Sequence, residues 1–219
     1  MPAKDVYDEL SRVHRPLQDR SRMAQVGALD ALETMLRERP LHKVTVQEVA
    51  DRAGLSITSV YARFDGKNAM VLALHERVIQ DALHQLHELL DEAAEHDEPV
   101  ERTVNTLIAR VVDFADENAH VFSAVLSASD EETNQRAAAF IRSASAALAA
   151  HLVPRLSRPG RGIDRGIDRD IDFAWRTTMA LLQQSWALGG AEPARYPLAG
   201  TDLAARLSRQ FLDAVVPAD

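Results

Sequence analysis

Apolar residues recur along this chain at three- and four-residue spacing, the period of an amphipathic helix. Val26, Leu29, Leu32 and Leu36 predict a first helix over 19–39, which Pro40 ends. Val46, Val49, Ala50 and Ala53 predict a second, short helix. Val60 and Phe64 face inward from a third that begins at Ser56. Met70, Val71, Leu74, Val78, Leu83, Leu86 and Leu90 predict a long helix over about 67–95. Asp97-Glu98-Pro99 starts a fifth helix, whose wide stripe (Val100, Val104, Leu107, Ile108, Val111, Phe114) predicts near-complete burial. Short apolar runs predict a sixth helix over 120–128 and a seventh from Asp130 to Leu152, before Pro154. Trp175, Met179, Leu182 and Trp186 share one face of an eighth over 169–188, ended by Gly189-Gly190. Leu203, Leu207, Phe211 and Val215 mark a ninth over 202–216, capped by Thr201. Nine helices and no credible strand run predict an all-α protein.

The stretch 45–67, TVQEVADRAGLSITSVYARFDGK, carries more information than helix period alone. Thr45 and Glu48 fit a capping box, in which each satisfies the other's backbone donor. Gly54 suits the left-handed residue that ends a helix. Ser56 is a good N-cap for the next one. A small residue at Ala50, a corner at Gly54 and an apolar plug at Val60 are what a helix-turn-helix needs. Thr45, Ala50, Ala53-Gly54-Leu55-Ser56, Tyr61, Phe64 and Lys67 together resemble the DNA-binding domain of the TetR (tetracycline repressor-like) family. The resemblance runs from Arg22 to Met70, and departs from the family at Leu36, Pro40 and Asn68. It implies an N-terminal three-helix DNA-binding domain, 1–66, and a helical effector-binding and dimerisation domain, 67–219.

Composition changes this picture little. The chain is 46% apolar and 26% charged, with no cysteine, so disulfides and cysteine-based zinc sites are excluded. No apolar run approaches the roughly 20 residues of a membrane span, and residues 1–12 lack a signal-peptide core. A cytoplasmic protein without membrane attachment is expected. The net charge of -8 belongs to the second part: residues 1–67 sum to +1 and the remainder to -9. DNA affinity must therefore come from a few placed donors, not from a broad basic field. Arg12 and Arg15 either fray with the N-terminal leader or reach the minor groove.

A recognition helix enters the major groove N-terminal end first. Ser56, Ile57, Thr58, Ser59, Ala62 and Arg63 are the expected reading surface. Arg63 is the candidate for a bidentate guanine contact, and Ile57, Thr58 and Ala62 for thymine methyl groups. Thr45, Ser59, Tyr61 and Lys67 have phosphate-binding chemistry, though Tyr61 also fits a packed aromatic beside Phe64. His84-x-x-His87 reads as a solvated face with no metal, and no cofactor motif appears. The chain lacks a catalytic triad order, a P-loop and a dinucleotide glycine pattern, so no enzyme is expected.

Phe114, Phe122, Phe140, Trp175, Met179 and Trp186 lie on predicted inward faces and either fill the core or line an apolar ligand pocket, with His120, His151, Gln183 and Gln184 as polar contacts. The resemblance favours the pocket. It implies a homodimer, paired through 169–188 and 201–216, on a near-palindromic double-stranded DNA operator. Ala174, Thr178, Leu181, Ser185 and Leu188 would be the pairing face of the eighth helix. The expected function is a transcriptional repressor released from DNA by a small apolar ligand. The alternative is a DNA-binding regulator without a small-molecule effector, controlled by a partner protein. Segments 157–170 contain a tandem Arg-Gly-Ile-Asp repeat, read as a surface connection.

Overall fold

The computed structural model describes residues 19–128, 131–157, 165–187 and 200–216. The N-terminal leader with Arg12 and Arg15, the side chains of Ser185 and Trp186, and Leu188 lie outside the described residues. Those residues form nine α-helices and a single 3-10 turn, with no strand among them: α1 (Asp19–Glu38), α2 (Val46–Ala53), α3 (Ile57–Tyr61), α4 (Gly66–Glu95), α5 (Val100–Glu117), α6 (Ala119–Ala128), α7 (Glu131–Leu156), α8 (Arg165–Ala187) and α9 (Gly200–Val215). The all-α reading holds. The 3-10 turn, Leu41–Lys43, precedes α2 and was not expected from helix period.

The helices form two compact units, one running up to Gln80 and including Asn118–Thr133, the other made of Asp81–Glu117 and the chain from Asn134 onward. In the first unit α1 packs against α2, α3 and α6. Leu29, Leu32, Met35 and Leu36 of α1 are buried, as are Val49 and Ala50 of α2, Val60 of α3 and the following Phe64. Val26, expected in the stripe, is only half-buried; Gln25 and Ala28 take the inward positions beside Leu29. Gln25 is 1% exposed, and neither its Nε2 nor its Oε1 has a hydrogen-bond partner among the described residues. In the second unit α9 packs on α5 and α8. Val104, Ile108 and Val112 of α5, Ile171 of α8 and Phe211 of α9 are fully enclosed.

Two boundaries and one expectation from composition differ from the sequence reading. Pro154 does not stop α7, which runs on to Leu156. Pro154 sits exposed in the last turn, while Leu152 and Val153 stay buried and the Ser157 N–H closes on the Val153 carbonyl at 2.9 Å. Helix α8 starts a turn early, at Arg165, and so takes in repeat copies read as a surface connection. Ile167 and Ile171 are four apart and both buried, so the repeat length of four is itself a helical stripe. Finally, Thr133–Leu156 of α7 is long and apolar enough by length and composition to cross a membrane, against the expectation that no run is. The cause is alanine content, and Ala144, Leu148 and Leu152 are part of the second unit's core.

Two outcomes test the first unit's interior. Leaving a buried amide unsatisfied costs about 1–3 kcal/mol. Gln25→Met should therefore raise the melting temperature by a few degrees; an unchanged or lower value would show that the amide is satisfied. His75 of α4 is buried edge-on against Phe122 of α6, centroids 6.0 Å apart, and burial pushes its pKa down to about 4. The unfolded chain binds this proton at about 6.5, so stability is full above that value and is lost as pH falls toward 4. About 2 kcal/mol should vanish between pH 7.5 and 5 in thermal melts. His75→Leu should remove that part of the pH dependence.

Candidate nucleic-acid interface

The helix-turn-helix is built by caps at every end. Thr45 accepts the Glu48 N–H at 3.3 Å, and Glu48 Oε2 accepts both the Thr45 N–H at 2.9 Å and its hydroxyl at 2.8 Å. This is the capping box read from sequence, and it fixes where α2 begins. Gly54 ends α2 in the left-handed region, φ 67°, and the Leu55 N–H returns to the Ala50 carbonyl at 2.9 Å. Ser56 then caps α3 by accepting the Ser59 N–H at 3.1 Å. The buried Val60 plugs the corner. The result is a five-residue helix aimed by its caps more than by its own hydrogen bonds.

On that helix Ser56, Thr58, Tyr61 and Ala62 are exposed, Tyr61 by 51%, so Tyr61 is not packed beside Phe64. Ile57 and Ser59 are half-buried. Arg63 departs from the outward placement expected of it. Its Nε donates to the Ser21 carbonyl of α1 at 3.1 Å, and one terminal nitrogen donates to the carbonyl and hydroxyl of Ser59 at 2.6 and 2.7 Å. The reason is length: α3 ends at Tyr61, and Arg63 lies beyond it, where the chain turns back to α1.

Lys67 is likewise occupied. Its ammonium donates to the carbonyls of Leu41 at 2.9 Å and Val44 at 2.8 Å, bridging α4 to the turn before α2. Thr45 keeps its exposed position, but its hydroxyl is committed to Glu48. The Glu48 carboxylate is held at a pKa of about 2, first by the Thr45 hydroxyl, then by the Thr45 N–H and Arg39, 2.8 Å away.

Other cations of this unit are matched to carboxylates: Arg37 to Glu33, Arg39 to Glu48, Arg52 to Glu38, and Arg77 to both Asp30 and Glu33. Arg22 and Lys43 are exposed and have no carboxylate partner among the described residues. Lys43 was missed from sequence. The signal was there in principle, as a cation two residues before the N-cap Thr45, but the turn that displays it has no periodic signature.

The expected pocket residues divide between the two units. Trp175 is buried in the second unit's core and Met179 packs against that core. Phe114 and Phe140 are half-buried on α5 and α7. Phe122 belongs to the first unit. His120 is there too, 3.8 Å from Glu33, and Gln183 and Gln184 are exposed. Trp175 Nε1 and His151 Nε2 are buried with no hydrogen-bond partner among the described residues. A groove of about 470 Å³ between α7 and α8 is lined by Arg142, Asp168, Arg169, Asp172, Phe173 and Arg176, so charged groups of both signs surround one aromatic ring.

Residues 28–74 match the family described as bacterial regulatory proteins, tetR family. Residues 28–74 thus carry a helix-turn-helix domain of the TetR type. It is 34% identical over 73 residues to the HTH-type transcriptional regulator EthR of Mycobacterium tuberculosis, a stretch covering 33% of this chain and 34% of that one. The match thus spans about a third of the length of such curated relatives. The whole fold is similar to a tetR-family transcriptional regulator from Streptomyces coelicolor, TM-score 0.61 at 19% identity over 91% of this chain and 82% of that one. It is also similar to the fatty acid degradation regulator FadR of Bacillus halodurans, TM-score 0.57 at 15% identity, over 90% and 97% of the two chains. At these identities the likeness is one of fold.

Acid should loosen the TetR-type reading head through Glu48. Its pKa is depressed on folding, so its contribution is full above the ordinary carboxylate value of 4.5 and is lost as pH falls toward 2. Glu48→Gln keeps a capping group but removes the charge. The variant's melting temperature should fall less than the parent's between pH 4.5 and 2.5; parallel decline would mean that the carboxylate is not the acid-labile part.

Proposed function

We propose that this protein is a homodimeric, sequence-specific DNA-binding repressor that a small apolar ligand releases from DNA. The observation that carries the DNA reading is the capped α3, whose Ser56, Thr58, Tyr61 and Ala62 face solvent while Val60 anchors it. In this reading Thr58 and Ala62 meet base edges and Tyr61 meets phosphate. Ile57 and Ser59 contribute from half-buried positions. Arg63 reaches a base only by releasing Ser21 and Ser59, so it joins the contact as a second step.

Residues 1–66 form the DNA-binding part and 67–219 the effector-binding and dimerisation part of the proposal. Two exposed apolar side chains support pairing through 169–188 and 201–216: Phe173, 60% exposed, and Leu181, 43% exposed, both on α8. Ala174 and Thr178 are buried within the unit, so the pairing face is rotated from the one read in sequence toward Phe173, Thr177, Ala180 and Leu181. Trp175 Nε1, without a hydrogen-bond partner among the described residues, supports a ligand that is largely apolar with one acceptor atom.

Selection of bound fragments from random duplexes tests the reading. A short near-palindrome should emerge, Tyr61→Ala should weaken binding to every sequence, and Thr58→Ala should change which fragments are enriched. Recovery of unbiased fragments would reject sequence-specific binding. A monomer by sedimentation at micromolar concentration would reject the dimer. If DNA binds but no small apolar molecule releases it, control belongs to a partner protein.

A further inference from the structure

We propose that Lys43 is a phosphate-contacting residue of the DNA interface and that Lys67 is the positioning residue that holds it there, an inference that rests on the DNA-binding reading above. The sequence suggests the reverse emphasis, with Lys67 on the phosphate. The geometry redistributes the two roles.

Three observations converge on Lys43. The backbone at Val44 (φ -100°, ψ 132°) and Thr45 (φ -110°, ψ 152°) is extended. In extended chain, alternate side chains share a face. Val44 is 1% exposed and points inward, so Lys43 and Thr45 stand together on the outer face, two residues apart. Thr45 is the residue through which this edge of the helix-turn-helix would meet the DNA backbone, and Lys43 is beside it.

Thr45 cannot carry that contact alone. Its hydroxyl and its N–H both donate to Glu48, and the Glu48 carboxylate is ionised down to about pH 2. An ionised carboxylate at the N-terminus of α2 repels a phosphate and occupies donors that a phosphate would use. A cation next to it is required to make the edge attractive. Arg39 is already paired with that carboxylate at 2.8 Å. Lys43 is exposed and has no carboxylate partner among the described residues.

The turn that displays Lys43 is braced from behind. The Lys67 ammonium holds the carbonyls of Leu41 and Val44, which flank His42 and Lys43 on either side. Leu41 and Val44 are buried, so the turn is pinned by side chains and by charge-assisted hydrogen bonds. Two of the three ammonium N–H groups of Lys67 are used in this way. A pinned turn presents its lysine without ordering a loop on binding, which is the condition for a phosphate contact of useful strength.

Fluorescence anisotropy with a labelled 20-base-pair duplex of random sequence, read from 50 to 200 mM KCl, separates these roles. A phosphate contact carries a slope of about 0.9 in log affinity against log salt. Lys43→Ala should flatten the slope by about 0.9 per bound protomer with the melting temperature unchanged, and Lys43→Arg should restore it. Lys67→Met should lower the melting temperature, because the bridge to both carbonyls is lost, and well below that temperature it should flatten the salt slope of the parent but not flatten it further in Lys43→Ala. A parental slope in Lys43→Ala would overturn the phosphate role, and a parental melting temperature in Lys67→Met would overturn the positioning role. If the unmodified protein binds this duplex without salt dependence, the DNA-binding reading itself fails, a result distinct from failure of the Lys43 variant alone.

Discussion

One ammonium group ties the two ends of the helix-turn-helix together. Lys67 sits in the first turn of α4, and its hydrogen bonds to the Leu41 and Val44 carbonyls close a loop of chain that contains α2 and α3. Without that closure the helix-turn-helix would be tethered to α1 by apolar contacts, by the Arg52–Glu38 ion pair and by the Arg63 bond to Ser21. Charge-assisted hydrogen bonds are directional as well as strong. They set where the chain enters α2, and the Thr45–Glu48 capping box then sets the angle at which α2 leaves. The orientation of α3 follows from both, through Gly54 and the buried Val60.

The interactions that read well from sequence are local ones. The capping box, the Gly54 corner and the Ser56 cap each involve residues within four or five positions of one another, and all three stand as read. Helix placement from apolar period was sound for the same reason. Errors arose where a local rule was overruled from a distance. Pro154 reads as a stop, yet burial of Leu152 and Val153 carries α7 past it. The Arg-Gly-Ile-Asp repeat reads as loop, yet Ile167 and Ile171 have a core to enter.

The candidate site was legible in type but not in detail. Residue chemistry told which side chains suit phosphate or a base edge. It could not tell which of them the fold already uses. Lys67 and Arg63 have the chemistry of DNA donors, but apart from Ser59 the partners that hold them lie 23 to 42 positions away, at Leu41, Val44 and Ser21. No periodicity encodes a bond of that span. Lys43 is the converse case: it looks like an ordinary surface lysine until the turn beneath it is seen.

Within α3 the duties of folding and of facing outward fall on different residues. Ser56 and Val60 hold the helix; Thr58 and Ala62 are exposed, and their side chains contribute little to holding it. Substitutions at exposed positions of this kind usually change stability by no more than about 0.5 kcal/mol. The outward set can therefore drift while the frame that aims it stays constant. On the proposed reading, a new target sequence would need changes only at residues that do not hold the helix.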